Sequence, residues 1–323
     1  MKRSATLAAL AALASTSALA QSSVTIYGRI NETVEYIQGP GVTGTSEKTW
    51  QLRDNSSRIG FMGREDLGGG MFAGFQLEHG FSADTGAQTQ TNFWARQSEV
   101  NIGSKSAGMI RLGNFTSEAY YATADYVSMH NHDTGTSSDA LYNDIGRKTN
   151  KVSYRTPSFG GFTAEAAVSL NETQTTPIAE KGYDVALNYN YGGPFHVGLG
   201  YQDWGDSRQL GLSGTYTIGA LVLGGYVQWD KNGWLANGGD HTTYRLSAMY
   251  SAGNSEFHVN AGYADDYDNV GGTDANQWTL AYNYNLSKRT KVYAYYTQVD
   301  DSSGIYGFGG DLKSFALGLR HAF

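Results

Sequence analysis

The side chains able to bind metals or move protons are few in this 323-residue sequence: seven histidines, at 79, 130, 132, 196, 241, 258 and 321, and thirty carboxylates. The tightest grouping is His130-Asn131-His132-Asp133. A metal centre needs about four ligands of defined geometry, so this tetrapeptide reads as a polar, accessible loop. Asp265-Asp266-Tyr267-Asp268-Asn269 with Gly271-Gly272 has a calcium loop's composition but not its D-x-[DN]-x-[DN]-G spacing, and it reads as a solvated loop. No Gly-x-Ser-x-Gly elbow occurs. The absence of cysteine excludes a disulfide scaffold, thiolate zinc and iron–sulfur clusters. Neither a cofactor, a metal nor catalysis is expected. A net charge of −7 without a basic stripe also excludes nucleic acid as a partner. The remaining charge-bearing stretch is 114–147, the longest without regular patterning, which carries Glu118, Asp125, Asp133, Asp139 and Asp144. A structureless stretch of that length is usually functional.

The elements that must position these groups are strands. Glycine (42 residues) and aromatic residues (23 Tyr, 13 Phe, 6 Trp) are abundant, and charged residues make up only 16%, against about 25% in ordinary globular chains. Met1-Lys2-Arg3, the apolar run Ala5 to Ala14 and the closing Ala18-Leu19-Ala20 describe a secretory signal peptide over 1–20. The mature chain, 21–323, then has 21 basic and 30 acidic residues, net −9. No later run reaches eighteen apolar residues, so no transmembrane helix is expected.

The mature chain alternates with period two. Tyr183, Val185, Leu187, Tyr189 and Tyr191 alternate with Asp184, Ala186, Asn188 and Asn190. Phe195, Val197, Leu199 and Tyr201 alternate with His196, Gly198, Gly200 and Gln202. Sixteen such segments can be placed, near 24–36, 47–62, 71–81, 91–103, 107–113, 148–156, 161–170, 182–192, 195–204, 208–218, 221–231, 241–252, 256–266, 274–286, 290–300 and 312–323. The 47–62 segment changes phase, the signature of a bulge.

A soluble sandwich would alternate too, but three details point to a membrane. Aromatic residues cluster near segment ends, as interfacial girdles do. Many segments exceed the 5–6 residues of a globular strand and match the roughly 9–11 that cross a bilayer. Short turns such as Gly219-Ala220 and Ser287-Lys288-Arg289 alternate with long polar stretches at 171–181, 231–240, 265–274 and 300–311. A spanning sheet cannot leave backbone groups unpaired in hydrocarbon, so it must close. The expected fold is all-β, a transmembrane antiparallel barrel of about sixteen strands, too wide for side chains to fill. Phe323 ends the alternating face Phe315, Leu317, Leu319, His321, and looks like the signal read by outer-membrane assembly machinery.

Specific stretches carry a resemblance. They are Val24-Thr25-Ile26-Tyr27-Gly28-Arg29, the run Ser57-Arg58-Ile59-Gly60-Phe61-Met62-Gly63-Arg64-Glu65-Asp66-Leu67-Gly68-Gly69-Gly70, Phe75-Gln76-Leu77-Glu78, Leu286-Ser287-Lys288-Arg289-Thr290 and the ending Gly318-Leu319-Arg320-His321-Ala322-Phe323. The mature chain resembles the general porins of Gram-negative bacteria, most closely the betaproteobacterial branch. The resemblance implies a homotrimer in which the third external loop, here 114–147, folds into each barrel and narrows it. It also implies a basic wall, carried over by motif to Arg29, Arg58, Arg96 and Arg147. Arg29 shares a face with Thr25, Tyr27 and Asn31, in agreement. Asp125 and Asp133 are the expected loop carboxylates, although the Pro-Glu-Phe-Gly-Gly stretch of enterobacterial relatives is missing here.

Opposed charges across a constriction orient dipolar solutes and disfavour apolar ones. Arginine suits such a wall because it stays ionised. The expected protein is an outer-membrane general diffusion porin for ions and small hydrophilic solutes. The alternatives are a substrate-selective, anion-preferring porin, and an adhesin-like barrel presenting Tyr120, Tyr121 and Tyr126. Its partners would be its own copies, outer-membrane lipid, lipopolysaccharide and the assembly machinery. Charges beyond about 8–10 Å are screened at physiological salt, so wall arginines outweigh the net −9 and anions are favoured.

Overall fold

The computed structural model describes residues 23–40, 46–124, 127, 130, 134–146, 148–171 and 181–323. The expected signal peptide, Asp125, Tyr126, His132, Asp133 and Arg147 lie outside the described residues. Among the described residues the chain forms seventeen strands: β1 (Ser23–Pro40), β2 (Ser46–Asp54), β3 (Arg58–Gly68), β4 (Met71–Gly80), β5 (Gln97–Ser104), β6 (Gly108–Asn114), β7 (Lys151–Arg155), β8 (Phe162–Ser169), β9 (Gly182–Asn190), β10 (Phe195–Trp204), β11 (Ser207–Ile218), β12 (Leu221–Lys231), β13 (Asp240–Ala252), β14 (Ser255–Ala264), β15 (Ala275–Asn285), β16 (Thr290–Asp300) and β17 (Leu312–Ala322). From β3 onward each strand pairs antiparallel with the next, and β17 returns to β1, so the sheet is closed.

Sixteen staves carry these seventeen strands, because β2 and β3 pair with one edge of β1. The register runs Arg29↔Arg58 below and Glu32↔Asp54 above. Ile30 and Asn31 therefore oppose three residues, Asn55, Ser56 and Ser57, which is a β-bulge at the expected phase change. Ser56 takes a positive φ of 62° there. Asn31 holds the bulge, receiving Asn55 N–H on its carbonyl (2.8 Å) and donating its own N–H to Ser57 Oγ (3.0 Å).

The two faces of the sheet invert the usual order of a soluble protein. Leu246 is 77% exposed and Trp50 65%, whereas Arg245 and Thr243, on the opposite face, are 1% and 0% exposed. Apolar and aromatic side chains face outward where hydrocarbon solvates them, and the polar face lines the interior. The seam closes on the last residue. Phe323 and Gly28 exchange two backbone hydrogen bonds (3.0 and 3.1 Å), and a Cβ on Gly28 would stand 2.6 Å from the Phe323 ring.

Two expectations change. Residues 91–96, placed in a strand by sequence, are irregular, and β5 begins at Gln97. Side chains fix this stretch: Phe93 stacks on His79 with ring centroids 4.0 Å apart, and Asn114 donates to the carbonyls of Trp94 and Ala95. Arg96 therefore stands just before a strand. The strict alternation of short and long connections also fails once, at Gly205-Asp206, where Trp204 pairs with Ser207 on the long-loop side. Gly205 has a φ of 61°, the positive value a type II′ hairpin needs at its first central position.

Candidate functional site

The connection between β6 and β7 is not structureless. It contains α1 (Glu118–Ala124) and a 3₁₀ turn (Gly135–Ser137). Ala119, Ala122 and Thr123, at i, i+3 and i+4, form one buried helical face. They rest on small residues of the polar face of β9 to β11. A Cβ on Gly198 would run into the carbonyl oxygen of Ala122, one on Gly200 would lie 2.5 Å from that of Ala119, and one on Gly211 would lie 2.8 Å from Thr123 Cγ2. Ser213 Oγ donates to the Ala122 carbonyl at 2.6 Å. Glu118 pairs with Arg155, the end of a ladder of alternating charge through Glu165 (2.6 Å), Arg111 (3.0 Å) and Glu99 (2.6 Å).

The return leg is held by a buried ion pair. Arg245 Nη2 lies 2.6 Å from Asp139 Oδ1 and also donates to Gln277, while Nη1 donates to Asn260. Tyr226 donates to Asp139 Oδ2 at 2.8 Å. Removing one member of a buried pair strands the other, at a cost of about 3–5 kcal/mol. Arg245→Met is thus expected to loosen this leg and expose it to protease, and adding Asp139→Asn recovers part of the loss in a double-mutant cycle.

His130, expected on an accessible loop, is completely buried. Its Nε2 meets Asn283 Oδ1 at 2.6 Å and its Nδ1 meets Ser137 Oγ at 3.2 Å. Burial, reinforced by His258, lowers the imidazole to about 3. Glu256 and Lys291 are the other charges acting on it. A detached His130 titrates near 6.5. Between these values the detached segment binds a proton that the docked one refuses. Docking is therefore fully stable above about pH 6.5 and weakens toward pH 3 by about 1.4 kcal/mol per unit. Protease cleavage within the segment should rise between pH 7 and 5, and His130→Gln should flatten that dependence.

Two of the expected wall arginines meet at one carboxylate. Glu78 Oε1 lies 2.6 Å from Arg96 Nε and 3.9 Å from Arg58 Nε, and Oε2 accepts from the Tyr27 hydroxyl at 2.9 Å. Gln76 donates to the same Tyr27 oxygen at 2.6 Å. Arg58 and Arg96 line a cavity of about 300 Å³ with Lys148, Tyr120 and Tyr121. Arg29 is the cross-strand partner of Arg58 but is only 5% exposed, and its Nε donates to the Ser56 carbonyl at 3.0 Å, bracing the bulge. Tyr120 is shared with a second cavity of about 450 Å³, and Tyr121 with a third of about 610 Å³.

Sequence reasoning missed Glu78, Lys148 and the two tyrosines as lining groups. Glu78 was legible: it shares the polar phase of β4 with Gln76, between the apolar Phe75 and Leu77. Of the loop acids, Glu118 and Asp139 anchor the segment to the staves, and Asp144 accepts from Gln202 at 3.2 Å.

Comparison with known proteins agrees with this architecture. Residues 5–304 match the Gram-negative porin family. Outer membrane porin protein 32 of Delftia acidovorans is 33% identical over the whole of both chains, and an outer membrane porin protein of Bordetella pertussis is 28% identical, again over both whole chains. Among solved structures, an anion-selective porin from Comamonas acidovorans superposes with a TM-score of 0.76 at 27% identity, covering 94% of this chain and all of the other. Salmonella typhi OmpF shares the fold at 15% identity, with a TM-score of 0.72 over 93% of this chain and 97% of its own. The chain, a closed antiparallel barrel with its apolar face outward, belongs to the Gram-negative porin family and is a multi-pass porin of the outer membrane.

Proposed function

We propose that the protein is a general diffusion channel, not an enzyme, whose β6–β7 connection lies in the lumen and narrows it, and that it favours small anions. The observation carrying this reading is one small cavity lined by Arg58, Arg96 and Lys148, where the two arginines meet Glu78 and Lys148 lies 4.0 Å from Asp144. The hydrogen bonds of Thr136 to Glu35 (2.9 Å) and of the Ala140 N–H to Gln277 (2.9 Å) support the course of the connection, since both acceptors stand on the polar face. Arg147 completes the basic wall in this reading, and Asp125 and Asp133 face it. Arg29 belongs to the wall's support.

The chain exports by the signal peptide 1–20, assembles as a homotrimer and sits among outer-membrane lipid and lipopolysaccharide. Phe323, the residue that closes the seam, is the signal to the assembly machinery. The anion-selective relative favours the same sign of preference. Single-channel recording in planar bilayers, followed by the zero-current potential in a salt gradient, tests the reading. Large ohmic steps with an anion-signed potential support it; a cation-signed potential overturns the anion preference, and silence from folded protein overturns the channel.

A further inference from the structure

Among the described residues the lining of the 300 Å³ cavity is polar almost throughout, and beyond Ala95 its apolar surface is the faces of Tyr120 and Tyr121. Both rings project from α1, off the face that Ala119, Ala122 and Thr123 bury. The two rings stand edge to face with centroids 5.7 Å apart, and Tyr120 is braced in the same manner by Tyr142 at 5.6 Å. Tyr121 is 46% exposed, and Arg58, Arg96 and Glu78 are the charged groups that act on its hydroxyl. Tyr120 also borders the 450 Å³ cavity and Tyr121 the 610 Å³ one, so each ring is shared between this cavity and a wider one.

Two chemistries are thus presented side by side. Planar guanidiniums with Lys148 accept a carboxylate. Aromatic faces and edges accept another aromatic ring in offset or edge-to-face geometry. The volume is at the lower end of the roughly 300–1,000 Å³ of small-molecule sites, suited to one ring with its carboxylate. We propose that this cavity is a subsite for small aromatic carboxylates, with the acid group on Arg58 and Arg96 and the ring against Tyr120 and Tyr121. The proposal rests on the anion-preferring reading of the channel. It adds a preference among anions that charge alone does not give.

The test compares benzoate with cyclohexanecarboxylate, which carries the same charge on a ring without a π-face. Each is added to a chloride-conducting single channel at neutral pH, and the half-blocking concentration is read. Benzoate should block at about two- to ten-fold lower concentration, the range an aromatic pair contributes beyond its buried area. Tyr121→Phe keeps that ratio, whereas Tyr121→Leu and Tyr120→Leu each reduce it toward one. Arg58→Gln with Arg96→Gln raises both half-blocking concentrations. Equal blocking by the two acids in the parent overturns the subsite, as does a ratio that survives both leucine variants. A zero-current potential of anionic sign alongside equal blocking leaves the anion preference standing and rejects only the aromatic subsite.

Discussion

The Gly198→Val, Gly200→Val double variant should have a larger single-channel conductance than the parent. At both positions the added side chain meets backbone oxygens of α1, those of Ala122 and Ala119, and not the ends of side chains that could rotate aside. The stave cannot yield either, since β10 is hydrogen-bonded along both edges, to β9 and β11. The helix must therefore lift. Overpacking of this kind costs about 1–3 kcal/mol per site, comparable with the free energies at which segments open locally. Two sites together oppose the contacts that hold α1 down, among them the hydrogen bond from Ser213, the Glu118–Arg155 pair and the packing of Ala124 on Tyr226. The barrel's ladders are untouched, so the variant still inserts. An unchanged conductance would mean that α1 does not obstruct flow.

Neutralising the proposed wall should move selectivity toward cations. Arg58→Gln combined with Arg96→Gln leaves Glu78 with its Tyr27 partner but without its two ion-pair partners, so the local charge around the cavity changes from mainly positive to balanced. Each unit charge at about 4 Å is worth about 1 kcal/mol to a passing ion even in bulk water. The pair of substitutions should therefore lower the anion-to-cation permeability ratio by about ten-fold or more. Glu78→Gln moves the ratio the other way. The zero-current potential in a salt gradient reads all three, and an unaltered potential in the double variant would place the selecting charges elsewhere.

The staves were readable because each obeys a two-residue rule enforced along its whole length by hydrocarbon outside and water within. The same rule located the bulge, where the phase slips between Asp54 and Arg58. It misled at Phe93 and Trp94, whose positions follow from His79 and Asn114 rather than from a ladder. The β6–β7 connection was legible only as an interruption. Its course depends on pairs far apart in sequence, such as Asp139 with Arg245 and His130 with Asn283, which no local pattern announces. The glycines of β10 were visible as small alternating residues, but what fills the space above them was not. Of the four arginines carried over by resemblance, Arg58 and Arg96 meet at Glu78, and Arg29 braces the backbone beneath them.

The seam between β1 and β17 joins the two ends of the described chain, from Arg29↔Ala322 to Gln38↔Lys313, with Phe323 and Gly28 beyond. Every other neighbouring pair of staves is joined by a single connection in the sequence. Until the last strand is available the sheet has two bare edges, each a row of donors and acceptors that hydrocarbon cannot satisfy. Pairing partners this distant is also the slowest kind of contact for a chain to find. Ring closure and entry into the bilayer are then a single event, and a nascent barrel must be kept from its own kind until the closing strand arrives.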